Sequence, residues 1–303
     1  MLNSHSLEIG IIGLDSSHCV SFTEMLNNPA HPHYVPGGRV VSAYRGGSPD
    51  LGLSRDRIDG YTQQLANEFG VDILSQPEEV AERSDAILLT SVDGRVHPAQ
   101  FARIVSFGKP IYVDKPLAMS AKEAHDIAEL AERHGVTWMS ASSLRYAEDV
   151  SSACASELDG PIFGVDCYGP VMLEPLMPGM FWYGVHLVEM AYSVLGSGCV
   201  RVTASTNGDQ DVVIGTWKDG TMATLRGNRR NNNHYGCVLH REGGTRQVRI
   251  NGASKPYYAS LLEQIMKMFQ SGEPPIRPEE MIEVVRFMEA ANASAISGTA
   301  QRL

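Results

Sequence analysis

Two stretches of the chain carry residue types that could do chemistry where ligands commonly bind. The first is Gly13-Leu-Asp-Ser-Ser-His18, directly after the apolar run Glu8-Ile-Gly-Ile-Ile12. A strand that ends in glycine and opens into a helix is where dinucleotides bind. The full loop is Gly-x-Gly-x-x-Gly, with the glycines serving the turn, the approach of the pyrophosphate and close helix packing. Here only the first glycine is present, and Asp15 sets a negative charge where a pyrophosphate approaches. The helix N-terminus still offers free N–H groups and the positive end of a dipole, unless Asp15, Ser16 or Ser17 caps them. Two readings stay open. Either a dinucleotide binds, shifted or with Asp15 turned away, or the loop has lost it and Asp15 and His18 serve structure or another ligand. On the first reading, Asp15→Gly tightens nucleotide binding by about 1 kcal/mol.

The second stretch is Pro110-Ile-Tyr-Val-Asp-Lys-Pro116. Ligands of open α/β sheets bind at the carboxyl ends of the strands. An ammonium there, on Lys115, can clamp a reacting hydroxyl or act as general acid and base; the plain alternative is a surface lysine. Farther on, His186 opens the apolar stretch Leu187, Met190, Ala191, and a satisfied core histidine is the plain alternative.

The second strand candidate ends in Tyr44-Arg-Gly-Gly-Ser48, without the acid that usually holds an adenosine ribose. Arg45 and Ser48 suit a 2′-phosphate and favour NADP over NAD; otherwise Arg45 is a solvated side chain in a glycine turn. The segment 48–60 is longer than the connection needs, and is expected to close or fill the adenosine end of the pocket. The loop 226–233 is basic and polar; it is a turn between strands, or a contact to substrate or to another subunit. Asp15, His18 and His186 lack the short spacing of metal ligands, so no metal is expected. No Ser-His-Asp order or nucleophile elbow is present.

Positioning these residues requires two kinds of architecture. Up to about residue 145, strands at 8–13, 39–44, 86–90, 110–113 and 137–141 alternate with helices at 17–26, 61–69, 98–107 and 121–134, which argues for a doubly wound parallel α/β sheet. Beyond it, short strands at 161–168, 200–206, 211–217, 221–226, 235–240 and 246–250, with an Asp-Gly turn at 219–220, argue for an α+β domain on a large, mostly antiparallel open sheet. Helices are expected at 184–195, 259–270 and 279–297. The expected division is 1–120 as a nucleotide-binding domain, 121–145 as a bridging helix and strand, and 146–303 as a substrate and oligomerisation domain.

With 25 Lys and Arg against 35 Asp and Glu, the chain carries −10, which excludes a general nucleic-acid binder. No apolar run is long enough for a membrane span, and residues 1–7 do not read as a signal peptide. Five scattered cysteines, without CxxC, read as reduced thiols of a cytoplasmic protein.

The ordered set of motifs resembles the glucose–fructose oxidoreductase / inositol dehydrogenase (Gfo/Idh/MocA) family, with a divergent nucleotide loop. Gly108-Lys-Pro-Ile-Tyr-Val-Asp-Lys-Pro-Leu-Ala118 is similar to the family's Glu-Lys-Pro segment. Leu65-Ala-Asn-Glu-Phe-Gly-Val71, Gly184-Val-His186 with Glu189, and Phe287–Gly298 resemble further family segments. The resemblance implies a Rossmann domain followed by an open-sheet domain, and an NAD(P)-dependent oxidoreductase of sugars, polyols or related hydroxylated molecules, working as a homodimer or homotetramer. It makes Lys115 and His186 the catalytic pair. It places Ser91, His97 and Asp114 beside the cofactor with Gly13, Asp15, Ser16, Ser17, His18, Arg45 and Ser48, and Arg145 and Trp182 beside the substrate with Lys115 and His186. Trp182 stands where the family has an aspartate, which exchanges a carboxylate for an aromatic platform. Asp15 and the missing ribose acid keep two other outcomes open: a non-redox lyase or isomerase, or a ligand-binding protein that has lost the dinucleotide.

Overall fold

The computed structural model describes residues 6–156, 158–252 and 255–303. The chain forms two compact units. One comprises the chain up to Ala118 with Lys122–Ala141 and Tyr258–Pro278; the other comprises Met119–Ala121, Ser142–Tyr257 and Glu279–Leu303.

The first unit is built on β1 (Leu7–Ile12), β2 (Gly38–Tyr44), β3 (Asp72–Leu74), β4 (Ala86–Leu89), β5 (Ile111–Val113) and β6 (Trp138–Ser140). They form one parallel sheet in the order β3-β2-β1-β4-β5-β6. β4, β5 and β6 are buried at every residue, as continuous apolar runs must be when helices cover both faces of a parallel sheet. The connecting helices are α1 (Ser17–Asn27), α2 (Gly52–Phe69), α3 (Pro77–Arg83), α4 (His97–Ile104) and α5 (Ala121–His134). α5 buries Ala124, Ile127 and Ala131, one stripe at helical spacing. The strand order reverses between β1 and β4, and such a switch point opens a crevice at the carboxyl ends of the strands.

Three features of this unit differ from the expected layout. The segment 48–60 is mostly the first half of α2, a helix rather than a loop. β3 and α3 occupy a stretch with no strong apolar pattern. Within 121–145, α5 and β6 belong to this unit, β6 pairing in register with β5, and the chain passes to the second unit at Ser142. The chain also returns to this unit with α8 (Tyr257–Ser271). The Gly272 carbonyl there accepts from Thr137 Oγ1 over 2.9 Å.

The second unit is a seven-stranded sheet of β7 (Ile162–Pro170), β8 (Cys199–Thr206), β9 (Gln210–Trp217), β10 (Met222–Asn228), β11 (Tyr235–Arg241), β12 (Gly244–Ile250) and β13 (Gln301–Arg302), in the order β12-β11-β7-β10-β9-β8-β13. Every pairing is antiparallel except β7 with β10. The Asp-Gly turn closes the β9–β10 hairpin, with Thr221 N–H donating to Asp219 Oδ1 over 2.9 Å. α7 (Gly184–Leu195) and α9 (Pro278–Ser297) cover one face, where Tyr192, Trp217 and Phe287 pack ring against ring. A short helix not anticipated from the sequence, α6 (Glu148–Ala155), lies against β12.

Candidate active site

The loop after β1 begins at Gly13, whose φ of +91° suits glycine, and whose added Cβ would lie 2.4 Å from the Ser91 backbone nitrogen. The loop is therefore pressed against the end of β4. Asp15 does not face outward. It is fully buried, with Oδ1 accepting from the Val92 N–H over 2.9 Å and Oδ2 from the Ser54 hydroxyl over 2.6 Å. Burial raises its pKa despite these bonds. The Ser54 hydroxyl in turn accepts from the Ser48 N–H over 2.8 Å. Asp15 thus ties the nucleotide-type loop to α2 and to the loop after β2. The carboxylate is thus turned away from where a pyrophosphate would approach, one of the placements the sequence left open. Ser16 caps α1, accepting from the His18 N–H, and the Ser17 hydroxyl lies 3.4 Å from Tyr258 Oη.

His18 turns toward the end of β5. Its Nδ1 donates to Asp114 Oδ2 over 2.7 Å, and its ring stacks on Phe22 and meets the edge of Tyr258. Asp114 is fully buried. Its Oδ1 accepts from the Lys115 N–H over 2.8 Å and lies 3.2 Å from Tyr112 Oη. Burial pushes its carboxyl up, but the facing His18 ring and the adjacent Lys115 charge hold it down at about 2. The carboxylate therefore stays ionised and fixes the backbone of Lys115. Lys115 is half-buried, and its peptide to Pro116 is cis. Its ammonium makes no hydrogen bond or ion pair among the described residues.

His97 is fully buried at the start of α4. Its Nδ1 lies 2.9 Å from the Pro116 carbonyl and its Nε2 2.8 Å from the Ser91 carbonyl. It staples the Lys115-Pro116 loop to the end of β4, a structural role. The Ser91 hydroxyl donates to Gln100 Oε1 over 2.8 Å. Asp93 is buried and receives Arg95, which also grips Asp50 through two contacts of 2.9 Å.

At the end of β2, Arg45 reaches out to Asp59 on α2. Ser48 is buried, with its backbone N–H on Ser54. With Gly46, Gly47, Pro49, Ser54, Arg55, Ile58 and Asp59 they line a cavity of about 320 Å³, within the ~300–1,000 Å³ of ligand pockets.

In the second unit, His186 sits half-buried in the first turn of α7. Its Nδ1 and the Ser142 hydroxyl hydrogen-bond over 2.6 Å, and the edges of Tyr183 and Tyr235 flank the ring. Arg145 and Trp182, expected at the substrate, are placed differently. The Arg145 guanidinium is buried and engaged by Glu189, at 2.8 Å, and by Glu280. Trp182 is buried against Tyr183 instead of offering an open platform. The arginines of the 226–233 loop also have partners: Arg226 meets Gln210, Arg229 meets Asp211 and Arg230 meets Asp209.

Ser54, Tyr112, Ser142 and Tyr258 were not singled out from the sequence. Ser54, Ser142 and Tyr258 lie 39 or more positions from their partners Asp15, His186 and Ser17, and Tyr112, two positions from Asp114, reads from the sequence only as an apolar strand residue. Among the described residues no three His, Cys, Asp or Glu side chains gather as a metal site.

Residues 55–142, which include Asp114-Lys115-Pro116, match the model of an oxidoreductase family with an NAD-binding Rossmann fold, GFO_IDH_MocA. Over this stretch the chain is similar to the Gfo/Idh/MocA family. The divergent loop 13–18 lies outside the matched stretch. Inositol 2-dehydrogenase of Cereibacter sphaeroides is 41% identical over 83 residues, which is 27% of this chain and 24% of that protein. The scyllo-inositol 2-dehydrogenase (NAD(+)) of Bacillus subtilis is 27% identical over 136 residues, 43% of this chain and 36% of that protein. The chain thus aligns with about a quarter to a third of the length of these curated relatives. The crystal structure of myo-inositol 2-dehydrogenase from Lactobacillus plantarum superposes with a TM-score of 0.80 at 16% identity, over 99% of this chain and all of that one. At that identity the likeness establishes the fold.

Proposed function

We propose that the chain is an NAD(P)-dependent oxidoreductase of a hydroxylated small molecule, a sugar, polyol or close derivative. The observation that carries this reading is Lys115. Its backbone is fixed by a buried carboxylate at the end of β5, next to the strand-order switch, and its ammonium makes no hydrogen bond or ion pair among the described residues. The family match and the inositol dehydrogenase relatives support it.

The residues fit a dinucleotide because Asp15 is turned inward and engaged by Ser54 and Val92, which removes the charge conflict that the sequence raised. Gly13, Ser16 and Ser17 are the groups that would hold the pyrophosphate, and Arg45 and Ser48 border the adenosine end. Ser91, His97 and Asp114 act through the backbone they hold. A bound nicotinamide would supply hydride transfer to or from the substrate carbon. In oxidation Lys115 Nζ, as the neutral amine, would take the proton of the substrate hydroxyl and become the ammonium; in reduction the ammonium would return it. His186, held at Nδ1 by Ser142, is the second candidate catalytic group. Arg145 and Trp182 support the site from within the second unit without touching substrate. The NADP preference expected from Arg45 and Ser48 loses support, since Arg45 is paired with Asp59 and Ser48 is buried; the Bacillus subtilis relative is an NAD+ enzyme by name.

We further assign a homodimer or homotetramer formed through the sheet face not covered by α7 and α9. The exposed Met222 and the half-exposed Val212 and Ile214 at the centre of that sheet support this. We place the protein in the cytoplasm: its five cysteines are free, and no described helix is long and apolar enough to cross a membrane. Mass spectrometry of nucleotide released from the purified, denatured protein tests the function. Recovered NAD or NADP is expected. Failure to bind either at millimolar concentration would overturn it.

A further inference from the structure

In a Rossmann domain, the acid that reads the adenosine ribose ordinarily stands at the end of the second strand. In this chain that position runs Tyr44-Arg45-Gly46-Gly47, with no acid. A carboxylate nevertheless arrives there from elsewhere. Asp59, on α2, reaches across to the Arg45 guanidinium, and the two side chains border the same cavity.

We propose that Asp59 is the coenzyme-selecting residue, taking the place of the missing ribose acid and setting a preference for NAD over NADP. This rests on the oxidoreductase reading above. A ribose diol brings two hydroxyl donors, and a carboxylate offers only acceptors, so Asp59 is matched to the unphosphorylated ribose. A 2′-phosphate at the same place meets the charge of Asp59 and is repelled. The two nearest arginines already have partners, which reduces but does not remove what they can offer a 2′-phosphate. Arg45 is held by Asp59, and Arg55 lies 3.4 Å from Asp56 and donates to the Pro49 carbonyl over 3.3 Å.

The cavity separates a fixed floor from an adjustable rim. On the floor, the Ser48 N–H bonds to Ser54, and Ser54 bonds to the buried Asp15. Gly47 has φ +99°, and a Cβ there would come within 2.4 Å of Ile58 Cδ1, so the loop packs directly on α2. On the rim, the Arg45 and Asp59 side chains are 49% and 76% exposed. An ion pair so exposed is weak and opens readily, so selectivity resides in charges that can be changed without disturbing the floor.

Calorimetric titration of NAD and of NADP into the full chain tests this with wild type, Asp59→Asn and Arg45→Ala. Wild type is expected to bind NAD more tightly. Asp59→Asn is expected to shift the ratio of the two dissociation constants at least tenfold toward NADP, with an unchanged thermal midpoint. Arg45→Ala is expected to weaken NADP further and leave NAD within about twofold. A wild type that prefers NADP, or a ratio unmoved by Asp59→Asn while both coenzymes bind, would overturn this inference alone. A wild type that binds neither coenzyme would overturn the oxidoreductase reading, and this inference with it.

Discussion

The crest of the parallel sheet and the start of α7 hold their chemical groups in opposite ways. At the crest, Asp15 and Asp114 are fully buried, each with two or more donors, and none of this charge faces solvent. At α7, His186 is half-buried, framed by aromatic edges and one hydroxyl, and its buried neighbour Arg145 is neutralised by two glutamates. The contrast teaches that the most conspicuous charges in the sequence, Asp15, His18 and Arg145, are internal struts. Lys115 and His186, the groups proposed for chemistry, are half-buried instead.

This comparison can be broken by removing struts. Asp114→Ala strands His18 in the interior, and Arg145→Ala strands Glu189 and Glu280. Each is expected to cost about 3–5 kcal/mol in denaturant unfolding, the range for one partner of a buried pair. A loss under about 1 kcal/mol at either site would show that the buried charges are not struts. Asp15→Ala leaves the Val92 N–H and the Ser54 O–H buried without acceptors, and about 2–3 kcal/mol is expected; tighter coenzyme binding in this variant would restore the pyrophosphate-clash reading.

A third test uses pH. The folded pKa of Asp114, about 2, lies below its unfolded value of 3.8. A depressed carboxylate stabilises the fold above the unfolded pKa, and that stability is lost as pH falls from about 4 to 2. The expected loss is about 2 kcal/mol, absent in Asp114→Asn; equal acid sensitivity of the two proteins would contradict it. The smallest effect sharpens the comparison from the other side. Arg45→Ala, at an exposed pair, is expected to change stability by less than about 1 kcal/mol, measured by the same denaturant titration.

Much of this architecture was readable because apolar runs and stop signals are local. α5 and α7 have the bounds that periodicity and glycine stops suggest. The first half of α2 escaped notice because its buried face includes Ser54, a polar residue held by Asp15 rather than by apolar packing. β3 is three residues with two exposed, too short to show alternation. In the site, Lys115 was visible from its place after a strand. The inward turn of Asp15 was not, because its partners Ser54 and Val92 lie 39 and 77 positions away. A structural role for Arg145 was readable, but its partner was not, for the same reason: Glu280, 135 positions on, has no local signature.

The central claim is that Lys115 handles the substrate proton while the buried groups around it only hold it in place. The direct measurement is coenzyme reduction by wild type and Lys115→Met across a panel of inositols and other polyols, with the coenzyme dissociation constant and thermal midpoint measured on the same samples. The account expects wild type to oxidise at least one polyol. It expects Lys115→Met to lose about 10²–10⁴-fold in kcat while coenzyme binding and thermal midpoint stay unchanged. Turnover by Lys115→Met within a few-fold of wild type would contradict it.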